Sequence, residues 1–175
     1  MDLDDVDRVT VGAVGEPGER AFFLQARSGE VLVTIAVEKE QVELLSSSIL
    51  EILATVDKET GDGPPEELLE LEPPLEPLWR AGRLSIGYGE DRDRMLLELE
   101  ELVPEPEDEE AEQDEPPEPD RLRIWTTREQ MLALSRHGSA VAARGRPRCQ
   151  FCGEPMDREG HTCPAMNGHR SPTRR

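Results

Sequence analysis

Aromatic side chains are scarce in this chain: three Phe, two Trp and one Tyr make up 3% of 175 residues. The apolar payload of a core therefore has to come from Val, Leu and Ile concentrated in a few stretches, and 29 Gly and Pro residues mark linkers between them. Only three cysteines are present, all within fifteen residues of one another, an odd number that cannot close fully as intramolecular disulfides. Clustered thiols of this kind fit a metal site in a reducing compartment better than a disulfide framework. No basic start followed by an apolar stretch opens the chain, which begins MDLDDVDR, and no run approaches the eighteen apolar residues of a membrane helix. The expected location is cytoplasmic, without membrane contact. Neither a nucleophile elbow, nor a P-loop, nor an HExxH pair occurs, so the sequence offers no catalytic residues.

Positive charge is missing from most of the length. Residues 1–120 hold 9 basic and 35 acidic side chains, a balance of −26, whereas residues 121–175 hold 11 and 4, a balance of +7. An acidic body of this strength repels nucleic acid, so only the tail could contact it, and nucleic acid is not the expected partner.

Along the chain, VDRVTVGAV (6–14), AFFLQARS (21–28) and VLVTIAV (31–37) alternate or run apolar as three strands of a meander. From Glu38 the period lengthens to about 3.6, and Val42, Leu45, Ile49, Ile52 and Leu53 share one face of an amphipathic helix ending near Asp57. KETGDGPPEELLELEPPLEP (58–77) is rich in Pro, Gly and Glu and reads as a loop with room for one helical turn. LWRAGRLSIGYGED (78–91) and RDRMLLELEELV (92–103) form a hairpin, although MLLELEEL consists of strong helix formers. PEPEDEEAEQDEPPEPD (104–120), with ten acidic residues and five Pro, cannot pack a core and is expected to be a disordered acidic loop. A sixth strand at 121–126 leads into a second helix at 127–144 with Thr127 as N-cap. TIAVEKEQVELL (34–45) and RIWTTREQMLAL (123–134) align at a constant offset of 89, which suggests two βββα units.

The tail, RPRCQFCGEPMDREGHTCPAMNGHR (146–170), carries the chemistry. A CxxC turn aims two sulfurs at one point, Gly153 supplies the positive φ that such a turn needs, and His161 and Cys163, one residue apart on extended chain, point the same way. The expected site is a structural Zn²⁺ bound by Cys149, Cys152, His161 and Cys163, closed to solvent ligands and therefore not catalytic. His169 in place of His161 is a competing set, and a redox CxxC lacks its usual βαβ setting. Phe151, Pro155 and Met156 are expected to give the ribbon its apolar contacts. Arg144, Arg146, Arg148, Arg158, Arg170, Arg174 and Arg175 ring it, a footprint of phosphate binding or of docking on the acidic loop. Elsewhere the signals are weaker. Gly87-Tyr88-Gly89 reads as a bulge, His137 as a surface or satisfied histidine, and Glu90, Asp91 and Asp93 as an Asp-rich hairpin tip.

With EPLWRAGRLSIGY (76–88), LRIWTTREQMLALSRHGSAVAARGRP (122–147) and CQFCGEPMDREGHTC followed by PAMNGHR (149–170) in view, the chain resembles an uncharacterised actinobacterial family catalogued as a domain of unknown function. The resemblance implies gene neighbours similar to histidine-phosphatase phosphomutases and to phosphoinositide kinases, and no activity.

Together these readings predict an α+β domain at 1–146, a mostly antiparallel sheet of about six strands with two helices on one face, then a zinc ribbon at 147–170 and a disordered end at 171–175. The functional expectation is a non-enzymatic adaptor with protein partners. Two alternatives stand beside it: a phosphometabolite binder or small enzyme using Arg80, Arg83 and Tyr88 beside the 58–77 loop, and nucleic-acid contact by the basic tail.

Overall fold

The computed structural model describes residues 1–103, 118–144, 149–154, 156 and 162–166. Most of the 104–120 acidic stretch, His161, His169, six of the tail arginines and residues 171–175 lie outside them.

The architecture is α+β, with seven strands in two sheets among the described residues rather than about six in one. Strands β2 (Arg8–Val14), β3 (Ala21–Ser28) and β4 (Val31–Val37) form an antiparallel meander that runs into helix α1 (Lys39–Thr55). Strands β5 (Ala81–Gly89), β6 (Arg94–Glu101) and β7 (Arg121–Thr126) form a second meander that runs into helix α2 (Arg128–Ala143). The seventh strand, β1 (Asp2–Leu3), is too short for any periodicity to announce it. Strand β6 shows why a helix-forming sequence is extended here. Met95, Leu97 and Leu99 are buried while Leu96, Glu98 and Glu100 are half-buried, so the period-two pattern matches the pleat and pairing overrides propensity.

Each half is thus βββα, and the offset of 89 holds in three dimensions. The caps correspond: Gln130 N donates to Thr127 Oγ1 at 3.1 Å, and Gln130 and Gln41 each accept at Oε1 from the cap residue's N–H, of Thr127 and Glu38 respectively, at 2.8 Å. Those two glutamines also reach across the molecule. Gln41 Nε2 donates to Ala81 O at 3.0 Å, just where β5 begins, and Gln130 Nε2 donates to Val6 O at 2.7 Å, just before β2. The lead-in segments are exchanged in the same way. Strand β1 pairs parallel with β7, while Leu78–Arg80 runs parallel to β4, with Ala36 N donating to Trp79 O at 3.0 Å and Leu78 N to Thr34 O at 2.9 Å.

Both helices turn their apolar faces to one core shared by the two sheets, in which Val42, Leu45, Ile49, Met131 and Leu134 meet Val11, Leu24, Ile35, Leu97 and Ile124. The helices meet each other where Ser135 Oγ donates to Ser46 O at 2.7 Å and Gly138 lies against Ser46 and Val42. No helix among the described residues is long and apolar enough to cross a membrane.

The 58–77 loop is more than a connection. After a 3-10 turn at Glu66–Leu69, it crosses the outer face of β2–β3–β4 as a strap. Thr10 donates to Leu69 O, Arg8 donates to Glu70 O at 2.8 Å, and Leu71 lies so close to Gly12 that a Cβ there would stand 2.5 Å from its Cγ. Gln25, fully buried, grips the backbone of Glu72 at both ends: its Nε2 donates to Glu72 O and its Oε1 accepts from Glu72 N, each at 2.8 Å. The Glu72 carboxylate is held below its ordinary pKa by its hydrogen bond from Arg27, with Arg8 at 2.7 Å adding to the effect.

Candidate metal centre

In the tail, the CxxC segment folds back on itself because Cys149 N donates to Glu154 O and Gly153 N to Cys149 O, both at 2.8 Å. Gly153 has φ 76°, a conformation that a side chain would strain, which is why glycine follows the second cysteine. This knuckle and the start of a 3-10 turn at Pro164–Met166 bring Cys149, Cys152 and Cys163 together, with their sulfurs all within 4.8 Å of one another. Cys149 and Cys163 are buried with Met156 in a small apolar cluster of their own, and Cys152 packs against it.

The sulfurs do not form a disulfide. Cys149 Sγ and Cys163 Sγ are 3.8 Å apart, far beyond a covalent S–S bond. That separation is the edge length, about 3.8 Å, of a tetrahedron whose corners lie about 2.3 Å from a central ion, the usual metal–thiolate distance. Lost hydration first, and then the two neighbouring thiols, push the Cys152 thiol up to about 11. A thiol that resists ionising there becomes a good ligand when a cation supplies the opposing charge. The donor set therefore fits a metal ion.

Of the four sequence-predicted ligands the structure gathers three, and His161 lies outside the described residues together with its competitor His169. Met156 is buried beside the cysteines as expected, but Phe151 is 51% exposed and contributes nothing to the cluster. Arg144 is the one member of the arginine rim that is described, and it pairs with Glu66 at 3.3 Å, on the body of the protein.

The remaining candidates do not form a second site. Arg80 is engaged by Glu38. Arg83 and Tyr88 stand at odd and even positions of β5, so they point to opposite faces and cannot converge on one ligand with Arg80. Gly87–Gly89 sits in regular register with Leu96, Met95 and Arg94, and the bulge lies instead between Ala81 and Arg83, where a Cβ on Gly82 would come 3.0 Å from Leu102 Cα. Gly89 is required because the Trp125 ring lies across it, 2.9 Å from where a Cβ would be. Asp93, at φ 50° in the hairpin, faces cations that the protein itself provides. Tyr88 donates to it at 2.5 Å, Lys58 stands at 3.1 Å and Arg128 at 3.2 Å, and these hold its carboxyl at about 2. Sequence reading missed this cluster because its members come from three segments with no shared spacing.

His137 is buried rather than exposed. Its Nδ1 makes no hydrogen bond among the described residues and stands 3.8 Å from Glu66, and burial pushes its pKa down. It borders a groove of about 430 Å³ between α2 and the Pro64–Pro65 corner.

These features define a class: an α+β protein of two βββα halves with a tail of three clustered cysteines that could hold a metal ion. Residues 1–163 match the family described as "Protein of unknown function (DUF3090)", and the chain belongs to that family. No curated protein and no solved structure matches it.

Proposed function

We propose that Cys149, Cys152, His161 and Cys163 hold one structural zinc ion, and that the protein is a non-enzymatic binding module whose partners are proteins, phosphatase-like or kinase-like ones being expected. The observation that supports this reading is the convergence of three sulfurs at tetrahedral spacing inside their own apolar cluster. Zinc prefers thiolate and imidazole in a tetrahedron, and His161, two residues before Cys163, supplies the fourth ligand. Four protein ligands leave no position for water, so such an ion shapes the tail rather than activating a nucleophile. The Tyr88–Asp93–Lys58–Arg128 cluster joins its own polar groups to one another.

Purified protein should carry close to one zinc per chain by elemental analysis. Cys149→Ser should release it and unfold the tail while the body keeps its melting temperature. Retention of zinc in His161→Ala but not in His169→Ala would replace the ligand set. The binding-module reading predicts that a phosphatase-like or kinase-like protein co-purifies from the native cell, and recovery of the protein alone would count against it.

A further inference from the structure

The two halves have equivalent outer faces, and among the described residues a strap crosses only the first of them. Strand pairing aligns them residue by residue: Gly12 pairs with Phe23 and Phe23 with Ala36, as Gly87 pairs with Leu96 and Leu96 with Trp125. By the same rows Arg8 corresponds to Arg83 and Thr10 to Ser85, so Arg-Val-Thr-Val-Gly (8–12) answers Arg-Leu-Ser-Ile-Gly (83–87). In the first half these residues hold the strap: arginine and threonine bind its carbonyls and glycine makes room for Leu71. In the second half the same three residues hold no described segment. Arg83 and Ser85 are exposed and make no hydrogen bond or ion pair among the described residues, and a Cβ on Gly87 would meet no described atom within 4 Å.

We propose that this outer face of β5–β6–β7 is a docking surface for an extended, leucine-bearing segment of a partner protein. Its carbonyls accept from Arg83 and Ser85, and its apolar side chain sits on Gly87 between half-buried Leu96 and Trp125. The chain cannot supply the occupant itself. Residues 104–117, 145–148, 155, 157–161 and 167–175, the segments outside the described structure, contain no Leu, Ile, Val, Met or aromatic residue. Charge separates the partner from the strap. Glu72 stands between Arg8 and Arg27 with Gln25 on its backbone, and their counterparts are Arg83, Glu100 and Glu98. The two carboxylates are already paired with Arg121 at 3.2 Å and Arg123 at 3.1 Å, so the residue following the leucine is uncharged instead of acidic.

The surface rests on the binding-module reading but not on the metal, since it lies on the body of the protein. The probe is a fluorescently labelled synthetic peptide copying residues 66–74, made as such and with Glu72→Gln, titrated to millimolar full-length protein by anisotropy. The glutamine peptide should bind saturably and more tightly than the native one. Arg83→Ala and Gly87→Val should each weaken it about tenfold or more, and neither should lower the melting temperature. Gly12→Val, whose seat is filled by Leu71, should lower it by several degrees. The proposal is overturned if neither peptide binds, or if binding ignores both substitutions. It is also overturned if Gly87→Val destabilises the protein as Gly12→Val does, or if sedimentation shows a dimer that Gly87→Val abolishes, the occupant then being a second copy. Peptide binding by protein lacking zinc would leave this surface standing and remove the zinc assignment, and zinc without peptide binding would do the reverse.

Discussion

Gln25→Leu tests whether the strap is held by a side chain imitating a strand. Gln25 is fully buried and makes three short bonds: to both backbone groups of Glu72 at 2.8 Å, and to Thr34 Oγ1 at 3.0 Å. Leucine has nearly the same volume, so packing changes little and the loss is polar. A net worth of about 1 kcal/mol per hydrogen bond gives about 3 kcal/mol, and stranding the Glu72 peptide groups in a covered site adds about 1–2. Leucine's greater apolar surface returns about 1–2 kcal/mol. The expected loss is therefore about 3 kcal/mol, which for a chain of this size lowers the melting temperature by roughly 5–10 °C. Urea unfolding followed by circular dichroism measures it by linear extrapolation. A glutamate-specific protease should at the same time cut faster after Glu70, the Glu72–Pro73 bond being resistant. A loss under about 0.5 kcal/mol with unchanged cleavage would refute the reasoning, because the strap would then be held by Leu71 and the Arg8–Glu72–Arg27 group alone.

Other perturbations read other contacts. Gly138→Ala gains about 1 kcal/mol of helix propensity but places a Cβ 2.6 Å from Ser46 Oγ and 3.1 Å from Val11 Cγ2, so crowding should win by about 1 kcal/mol in the same assay, and a rise in melting temperature would contradict the helix contact. Thr127→Ala removes the α2 cap and should lose about 1 kcal/mol, with fraying visible in amide exchange. His137 has a folded pKa below its unfolded value of about 6.5, so the unfolded state takes up the proton first and stability should fall as pH drops below about 6.5; His137→Gln should flatten that slope in urea midpoints. Asp93, held at about 2, contributes stability that is present above its unfolded pKa of about 3.9 and is lost as pH falls towards 2, and Asp93→Asn should flatten that acid limb.

Much of the backbone was legible because its signals are local. β-branched runs gave β2–β4, the 3.6 period gave α1 and α2, and Thr127 capped where its type and position said it should. The echo at an offset of 89 was readable since it lies at the strand-to-helix junctions, where capping restricts residue choice. The cysteines announced themselves by spacing. What stayed hidden depends on contacts distant in sequence. The strap looked like a loop because Pro and Gly dominate its composition, and nothing local says that Leu71 belongs on Gly12 or that Glu72 belongs between Arg8 and Arg27. The exposure of Phe151 and the burial of His137 turn on tertiary packing in the same way. The second echo, Arg-Val-Thr-Val-Gly against Arg-Leu-Ser-Ile-Gly, becomes visible only once strand register says which residues are equivalent.

The exchanged lead-ins bear on how the chain can be made. Met1 donates from its amino group to Arg121 O at 2.6 Å, and Asp2 and Leu3 pair with β7, so these residues wait for a strand about 120 positions behind them. Residues 78–80 wait for nothing, since β4 is already synthesised when they appear. The first half is born with an unfilled edge and the second closes it, so folding ends at the beginning of the chain. An affinity tag fused ahead of Met1 would sit on that last seam.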